Sequence, residues 1–377
     1  MKTLHSGSLN VNAGGPAMSM SLTLKGLEKA GVKTVGLCEE IASDGKLIAL
    51  DLNIRFTHRG KYGTFAYVDN IYECLKKEAD VDIYHIHGTW MYHGLAVSRY
   101  AHKTGRTYVV SPRGMLYPQA LAHHALLKKV MMGFYQKDVF SEAACIQATC
   151  KEEMEHYRAL GFKNPVAVLP NPIDINEIID REIPNKPIYK VGYLGRLHPR
   201  KRVERLIYAF SELREELKDC HLMIIGGGDE IYRAFLEAEV KRLDVKNVEF
   251  TGFLTGKEKD DAITGLSLLV VPSDFENFGN IVSEALVRGV PVIASKGMPW
   301  QELEECHCGW WIDNDQNSIN QTLLEAVTIP NEERLRMGMN GKRLMRENYS
   351  VEVLGEKMKR LYEWILNGGY KPEFVYE

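Results

Sequence analysis

The chain has 377 residues, 45% of them hydrophobic, and a formal net charge of −3. That length suits two domains with ordinary cores. The charge balance excludes a partner held mainly by a basic surface, such as nucleic acid, and seven scattered cysteines exclude a disulfide-framed secreted module.

The N-terminus shows no basic region followed by an apolar core, and the longest apolar run, at 266–271, is far short of the ~20 residues of a membrane helix. A cytoplasmic protein is expected, with peripheral contact to the inner face of a membrane left open.

In the first half, runs at 3–6, 34–38, 83–87 and 108–111 predict strands. In the second half, runs at 190–194, 222–225, 248–251, 268–271 and 291–294 do the same. Such runs, bounded by glycine and proline and separated by helical patterns, predict an α/β fold with parallel sheets. Residues 12–17 lie between the first strand and a helix carrying Met20, Leu24 and Leu27. Gly14 and Gly15 there permit positive φ and close backbone approach to a ligand, although a generic strand–helix turn reads the same way.

His85 and His87 share one face of their strand. His87 lies nearer the strand end and suits a site residue, while His85 suits a structural role. No acidic residue stands nearby at ligand spacing, so no metal is expected. Arg113 follows the next strand. It stays protonated and cannot act as a base, but it can donate hydrogen bonds to hydroxyls or a phosphate. The stretch 121–137 mixes His123, His124, Lys128 and Lys129 with Leu126, Leu127, Val130, Met131, Met132 and Phe134. It fits a helix lying on a membrane, but a core-packed helix is the favoured reading.

Pro170 and Pro172 flank Asn171 and break any element there, and Pro184 and Pro187 follow before the next strand. The break predicts domains 1–169 and 170–349. Residues 350–377 form a C-terminal helix and tail that return to the first domain, with Ser350 as N-cap and Val351, Leu354, Met358, Leu361 and Ile365 on one face. Two doubly wound domains would hold a large ligand in the cleft between them, at the carboxyl ends of the strands.

Three turns of the second domain carry chemistry. Arg196, His198, Arg200 and Lys201 crowd the start of a helix expected near Arg202, whose Val203, Leu206, Ile207, Phe210, Leu213 and Leu217 share a face. The helix dipole disfavours cations there, so a compensating anion such as a diphosphate is called for. Gly226 sits in a glycine turn that lacks a full dinucleotide fingerprint, and it is weak evidence alone. Phe253 and Leu254 end the next strand, where a core role for Phe253 is as good a reading as a ligand contact.

The most specific segment is 271–286, which holds Glu276, Asn277, Phe278, Gly279, Asn280 and Glu284. A helix is expected from Asn277 to just before Gly289. Phe278, Gly279 and Asn280 would then offer backbone N–H groups to an anion. If helical throughout, the interval from Glu276 to Glu284 spans ~12 Å. That exceeds the ~5–9.5 Å of a hydrolytic carboxylate pair. It suits two handles on one extended ligand.

The pattern from Glu276 to Glu284 resembles that of retaining glycosyltransferases of family 4, which have the GT-B fold of two facing Rossmann-like domains with a cleft between them. The resemblance covers most of the chain. It implies a hexosyltransferase-like, metal-independent enzyme with no cofactor, moving a sugar from a UDP or GDP sugar to a saccharide or lipid-linked acceptor in bacterial surface polysaccharide synthesis.

By the resemblance, Glu284 binds the donor ribose and Glu276 faces the transferred sugar. Phe278, Gly279 and Asn280 line the sugar and phosphates, Arg196 and Lys201 hold the diphosphate, and Phe253 and Leu254 pack on the base. The loop of Gly14 and Gly15 faces the cleft. Many family members carry a histidine where this chain has Arg113, which puts the sugar contact in question. An epimerase of similar fold and a noncatalytic sugar-nucleotide binder are the alternatives. A dinucleotide oxidoreductase is disfavoured by the missing fingerprint. The sequence does not indicate an oligomeric state.

Overall fold

The computed structural model describes residues 1–40, 46–48, 51–178 and 189–377; Pro184 and Pro187 of the expected linker lie outside them. Among the described residues the strands are β1 Lys2–Ser6, β2 Lys33–Glu39, β3 Ile54–Thr57, β4 Ile83–His87, β5 Thr107–Ser111, β6 Cys145–Ala148 and β7 Val166–Val168. They continue with β8 Lys190–Leu194, β9 His221–Ile225, β10 Val248–Gly252, β11 Leu268–Val271, β12 Val292–Ser295, β13 Gly309–Ile312 and β14 Val375–Tyr376. The chain divides into two compact units: Met1–Pro172 with Tyr349–Glu377, and Ile173–Asn348.

The first unit holds an eight-stranded sheet in the order β14-β7-β6-β5-β4-β1-β2-β3, parallel except for β14, which runs antiparallel to β7. All five residues of β4 are buried, as a parallel sheet covered on both faces requires. The strand order reverses between β1 and β4, where His5 pairs in register with His85. In such sheets the carboxyl ends at this reversal form a natural site.

The helix Val351–Asn367 belongs to this unit. Ser350 Oγ accepts the Val353 N–H at 3.3 Å and starts it. It crosses the helix Gly15–Lys29 so closely that a Cβ on Gly355 would collide with the backbone of Gly26. Its inner face places Met358, Leu361 and Tyr362 against Leu27, Ile83 and Val109.

The second unit is an all-parallel sheet in the order β10-β9-β8-β11-β12-β13. Counted within the unit, this is the doubly wound order 3-2-1-4-5-6, with its switch point between β8 and β11. Two helices start later than the sequence suggests. Arg202 takes φ 51°, so the 3-10 turn Pro199–Lys201 precedes the helix Glu204–Glu212. Leu217 falls beyond that helix but is still buried. Gly279 takes φ 80°, so the expected start at Asn277 gives way to a seven-residue helix, Asn280–Leu286. All seven cysteines are free thiols.

Candidate functional site at the strand ends

In the second unit, four adjacent strand ends carry the expected site residues. The turn after β8 folds over the end of β9. Gly195 N–H donates to Ile225 O, Leu197 N–H to Gly227 O, and Asp229 N–H to Leu197 O, each at 2.9 Å. Gly226, at φ 140°, lies against Gly195, and a Cβ there would run into the Gly195 carbonyl oxygen. The glycine turn is therefore needed for the two turns to meet.

On the other side the same turn meets the end of β11. Asp274 N–H donates to Arg200 O at 2.9 Å, and Arg202 Nε donates to Asp274 at 2.6 Å. Lys201 Nζ pairs with Glu276, which also accepts from Ser273 Oγ at 3.2 Å. Glu276 N–H in turn donates to Gly297 O at 2.8 Å, beyond β12. The switch point is thus bridged by an ion pair whose partners both retain solvent contact.

This geometry corrects the charge argument made from sequence. The cations precede the helix instead of occupying its first turn, and Glu276, Asp274 and Glu204 already face Lys201 and Arg202. Among the described residues, the charge left without an acidic partner is on Arg196 and Arg200. Arg196 is exposed and makes no side-chain hydrogen bond or ion pair among the described residues, while Arg200 lies 5.6 Å over the Phe275 ring. The call for an outside anion now rests on these two guanidinium groups.

The two carboxylates are also rearranged. Glu276 lies in the turn before the helix, so the ~12 Å helical interval does not hold between them. Glu284 sits inside the helix, 2.6 Å from Lys259 Nζ. Each carboxylate therefore has its own lysine.

Phe278 is buried, its ring 5.0 Å from that of Trp300 and its carbonyl accepting the Trp300 indole N–H at 2.5 Å. Its side chain packs the core, so only its backbone can face a ligand. Gly279 and Asn280 cap and open the helix. Phe253 has the opposite outcome. It is 73% exposed at the end of β10, which removes the core reading, and Leu254 beside it is half-buried.

In the first unit, the strand ends at the switch point form a closed chain of hydrogen bonds. Arg113 Nη1 donates to Ser19 Oγ and Asn171 Oδ1, each at 2.7 Å, and Nη2 donates to His87 Nδ1 at 2.9 Å. An arginine only donates, so His87 carries its proton on Nε2 and passes it toward His5 Nδ1 at 2.9 Å. His5 Nε2 then faces the Tyr362 hydroxyl at 3.4 Å, and that hydroxyl donates to His85 Nδ1 at 2.6 Å. His85 Nε2 donates to Ser111 Oγ at 2.5 Å, and Ser111 donates to Gln147. Every step is consistent with neutral imidazoles. Burial drives the same outcome, lowering the His5 pKa to about 3 and those of His85 and His87 well below their ordinary value. Burial also lowers Arg113 to about 10.

Two expectations change here. His87 is 5% exposed and bonded internally, so it is not an open site residue. Arg113 commits both terminal nitrogens to the protein, and its buried Nε has no partner among the described residues. Gly14 takes φ 65° and caps the helix Gly15–Lys29, while Gly15 lies in its first turn with no positive φ.

The sequence reading missed His5, Tyr362, Ser111 and Gln147. Register would have found His5, because parallel β1 and β4 put it opposite His85. The three imidazoles offer nitrogens within 4.8 Å of one another. Their nitrogens are engaged in the chain above, and the Arg113 guanidinium beside His87 disfavours a cation.

Two doubly wound units, the second with a charged switch point, define a chain of the GT-B class. It shares its fold with the Anabaena protein HepE, crystallised with UDP and glucose, at TM-score 0.75 and 15% identity over 96% of this chain and 99% of that one. It also shares it with a glycosyltransferase from Rickettsia africae, at TM-score 0.76 and 14% identity over 98% and 99%. The family model for glycosyl transferases group 1 matches residues 174–344, and that for a glycosyl transferase 4-like domain matches 14–172. Together they span most of the chain, which belongs to the group 1 glycosyl transferases.

Among curated relatives, a GDP-mannose-dependent alpha-mannosyltransferase of Mycolicibacterium smegmatis is 35% identical over 41% of this chain, but the match spans only 37% of that protein. A match to a GDP-mannose-dependent mannosyltransferase of Corynebacterium glutamicum spans 45% of that protein, at 27% identity and 45% of this chain. An uncharacterized glycosyltransferase of Methanocaldococcus jannaschii is 24% identical over 81% of this chain and 83% of its own length.

Proposed function

We propose that the chain is a retaining, metal-independent glycosyltransferase that uses a nucleoside-diphosphate sugar, UDP or GDP, as donor. The observation that carries this reading is the switch point of the second unit. There Arg196, Lys201 and Glu276 stand at the adjoining ends of β8 and β11, and the Lys201–Glu276 pair keeps solvent contact. The UDP complex of a protein with the same fold and the GDP-mannose named for two relatives support the donor class.

In this reading the diphosphate lies over Arg196 and Lys201, which neutralise charge growing on the leaving group. Glu276 faces the transferred sugar, Glu284 accepts hydrogen bonds from the ribose, and the exposed Phe253 ring and Leu254 meet the base. The bond from the sugar C1 to the phosphate oxygen breaks. A new bond from C1 to an acceptor hydroxyl forms on the same face, and the hydroxyl proton passes to the departing phosphate oxygen. The acceptor is a saccharide or lipid-linked saccharide of a bacterial surface polysaccharide.

The test is transfer from UDP- and GDP-hexoses to a panel of saccharide acceptors, with the product anomer read by NMR. An α-donor should give an α-linked product without added metal. An inverted product, or activity lost to chelator and restored by a divalent cation, overturns the mechanism. Conversion of the donor to its epimer without an acceptor overturns the reaction class.

A further inference from the structure

Only one face of the segment 121–137 packs into the core, through Leu121, Met131, Met132 and Tyr135. Ala125–Met131 is helical, followed by a π-helical turn Met132–Gln136 and a further helix Lys137–Ser141. Within it Leu126 is 78% exposed and Phe134 79%, with Leu127 and Val130 also exposed. Four large apolar side chains thus share a few turns of surface, where the first unit has a complete core beneath them. From Pro112 to Lys137 the sequence contains no aspartate or glutamate, while Lys128, Lys129 and Lys137 lie on this segment behind His123 and His124.

Beside it lies an open cleft of about 790 Å³, whose walls include Met132, Leu160 and Phe162 together with Lys137 and Lys163. Neither of these two lysines makes an ion pair among the described residues. Asp138 and Glu142 follow the segment, and Glu142 faces His102 at 3.7 Å.

We propose that this face docks on an anionic lipid surface. Leu126, Leu127, Val130 and Phe134 would enter the acyl boundary, with Lys129, Lys137 and Lys163 at phosphate headgroups. An apolar strip edged by cations is the arrangement that partitions into the interface of a charged membrane. A second copy of this chain fits less well, because a two-fold contact would bring the same lysines together. No helix among the described residues is long and apolar enough to cross a membrane, so the contact is peripheral.

The test is flotation of the full chain with vesicles of phosphatidylcholine alone and of phosphatidylcholine with phosphatidylglycerol, at low and high salt. Binding should require phosphatidylglycerol and weaken with salt. Lys129→Glu with Lys163→Glu should weaken it by at least fivefold per site, the ratio that about 1 kcal/mol per basic residue near such a surface implies. Leu126→Ser with Phe134→Ser should abolish it. These side chains are exposed, so the variants should keep the wild-type Tm and the wild-type affinity for UDP or GDP. If a variant unfolds, the lipid and salt dependence of the wild type still decides. Failure of the wild type to float with phosphatidylglycerol at low salt overturns the proposal. So does equal binding to both vesicle types, or dimerisation in sedimentation velocity that the Leu126→Ser, Phe134→Ser pair removes. None of these outcomes bears on glycosyl transfer.

Discussion

The two units use one topology for opposite purposes at their switch points. Between β1 and β4, the strand ends are closed over by Tyr362 from the C-terminal helix. The imidazoles of His5, His85 and His87 there are neutral, buried and bonded to the protein itself. Between β8 and β11, the strand ends carry charges that are paired but still wet, and Arg196 has no acidic partner among the described residues. A buried network with its bonds already made adds order but leaves nothing for a ligand. A part-buried pair that keeps some solvent contact can exchange one partner for a phosphate or hydroxyl without leaving a charge stranded in the core. The proposed donor site in the second unit rests on this difference more than on any single residue.

The strongest way to break the contrast is Gly226→Val. The side chain would meet the Gly195 carbonyl, and the residue would hold a φ of 140°. A loss of about 3 kcal/mol or more in stability is expected, together with loss of nucleotide binding. Thermal unfolding and calorimetric titration check both; wild-type affinity in this variant would mean the two turns need not meet.

Arg113→Ala comes next. It removes the donor to His87 while Ser19 still donates to Asn171, so about 1–3 kcal/mol of stability should go for the one buried nitrogen left unpaired. Nucleotide affinity should be unchanged. A fall in affinity with unchanged Tm would return Arg113 to the donor site.

The third prediction uses pH. The folded His5 pKa of about 3 lies below the ordinary 6.5, and those of His85 and His87 are also depressed. Below about 6.5 the unfolded chain takes up protons that the folded one refuses, so stability falls as pH drops toward 3. Each histidine contributes up to about 1.4 kcal/mol per pH unit. Denaturant titrations from pH 7 to 5 should show this slope reduced in His5→Gln. A slope the same in that variant would show that His5 is not among the groups responsible. The smallest effect is expected for Phe253→Ala, a loss of about fivefold in nucleotide affinity if the exposed ring stacks on the base.

Much of this was legible in the sequence, and the misses share a physical cause. The nine expected strands are present, and most of them read as compact apolar runs. β3, β6, β7, β13 and β14 were missed because they are short or mixed in character, as in Cys145–Ala148 with its glutamine. The charged turn could be read because its chemistry is local in the chain. The histidine network could not, because it joins residues as far apart as His5 and Tyr362. Arg113 and His87 were misassigned for the same reason, since burial by a distant helix leaves no local mark. For Leu126 and Phe134 the periodicity fits a core helix and a membrane-surface helix alike, and only the folded surface shows them exposed.

The most direct test is calorimetric titration of UDP and GDP into the full chain and into Arg196→Ala. The wild type should bind at least one of them. Loss of a charge-assisted hydrogen bond worth about 1.5–3 kcal/mol should weaken that binding about tenfold to a hundredfold in the variant. No binding of either nucleotide by the wild type, or equal affinity in Arg196→Ala, would contradict a donor site at the ends of β8 and β11.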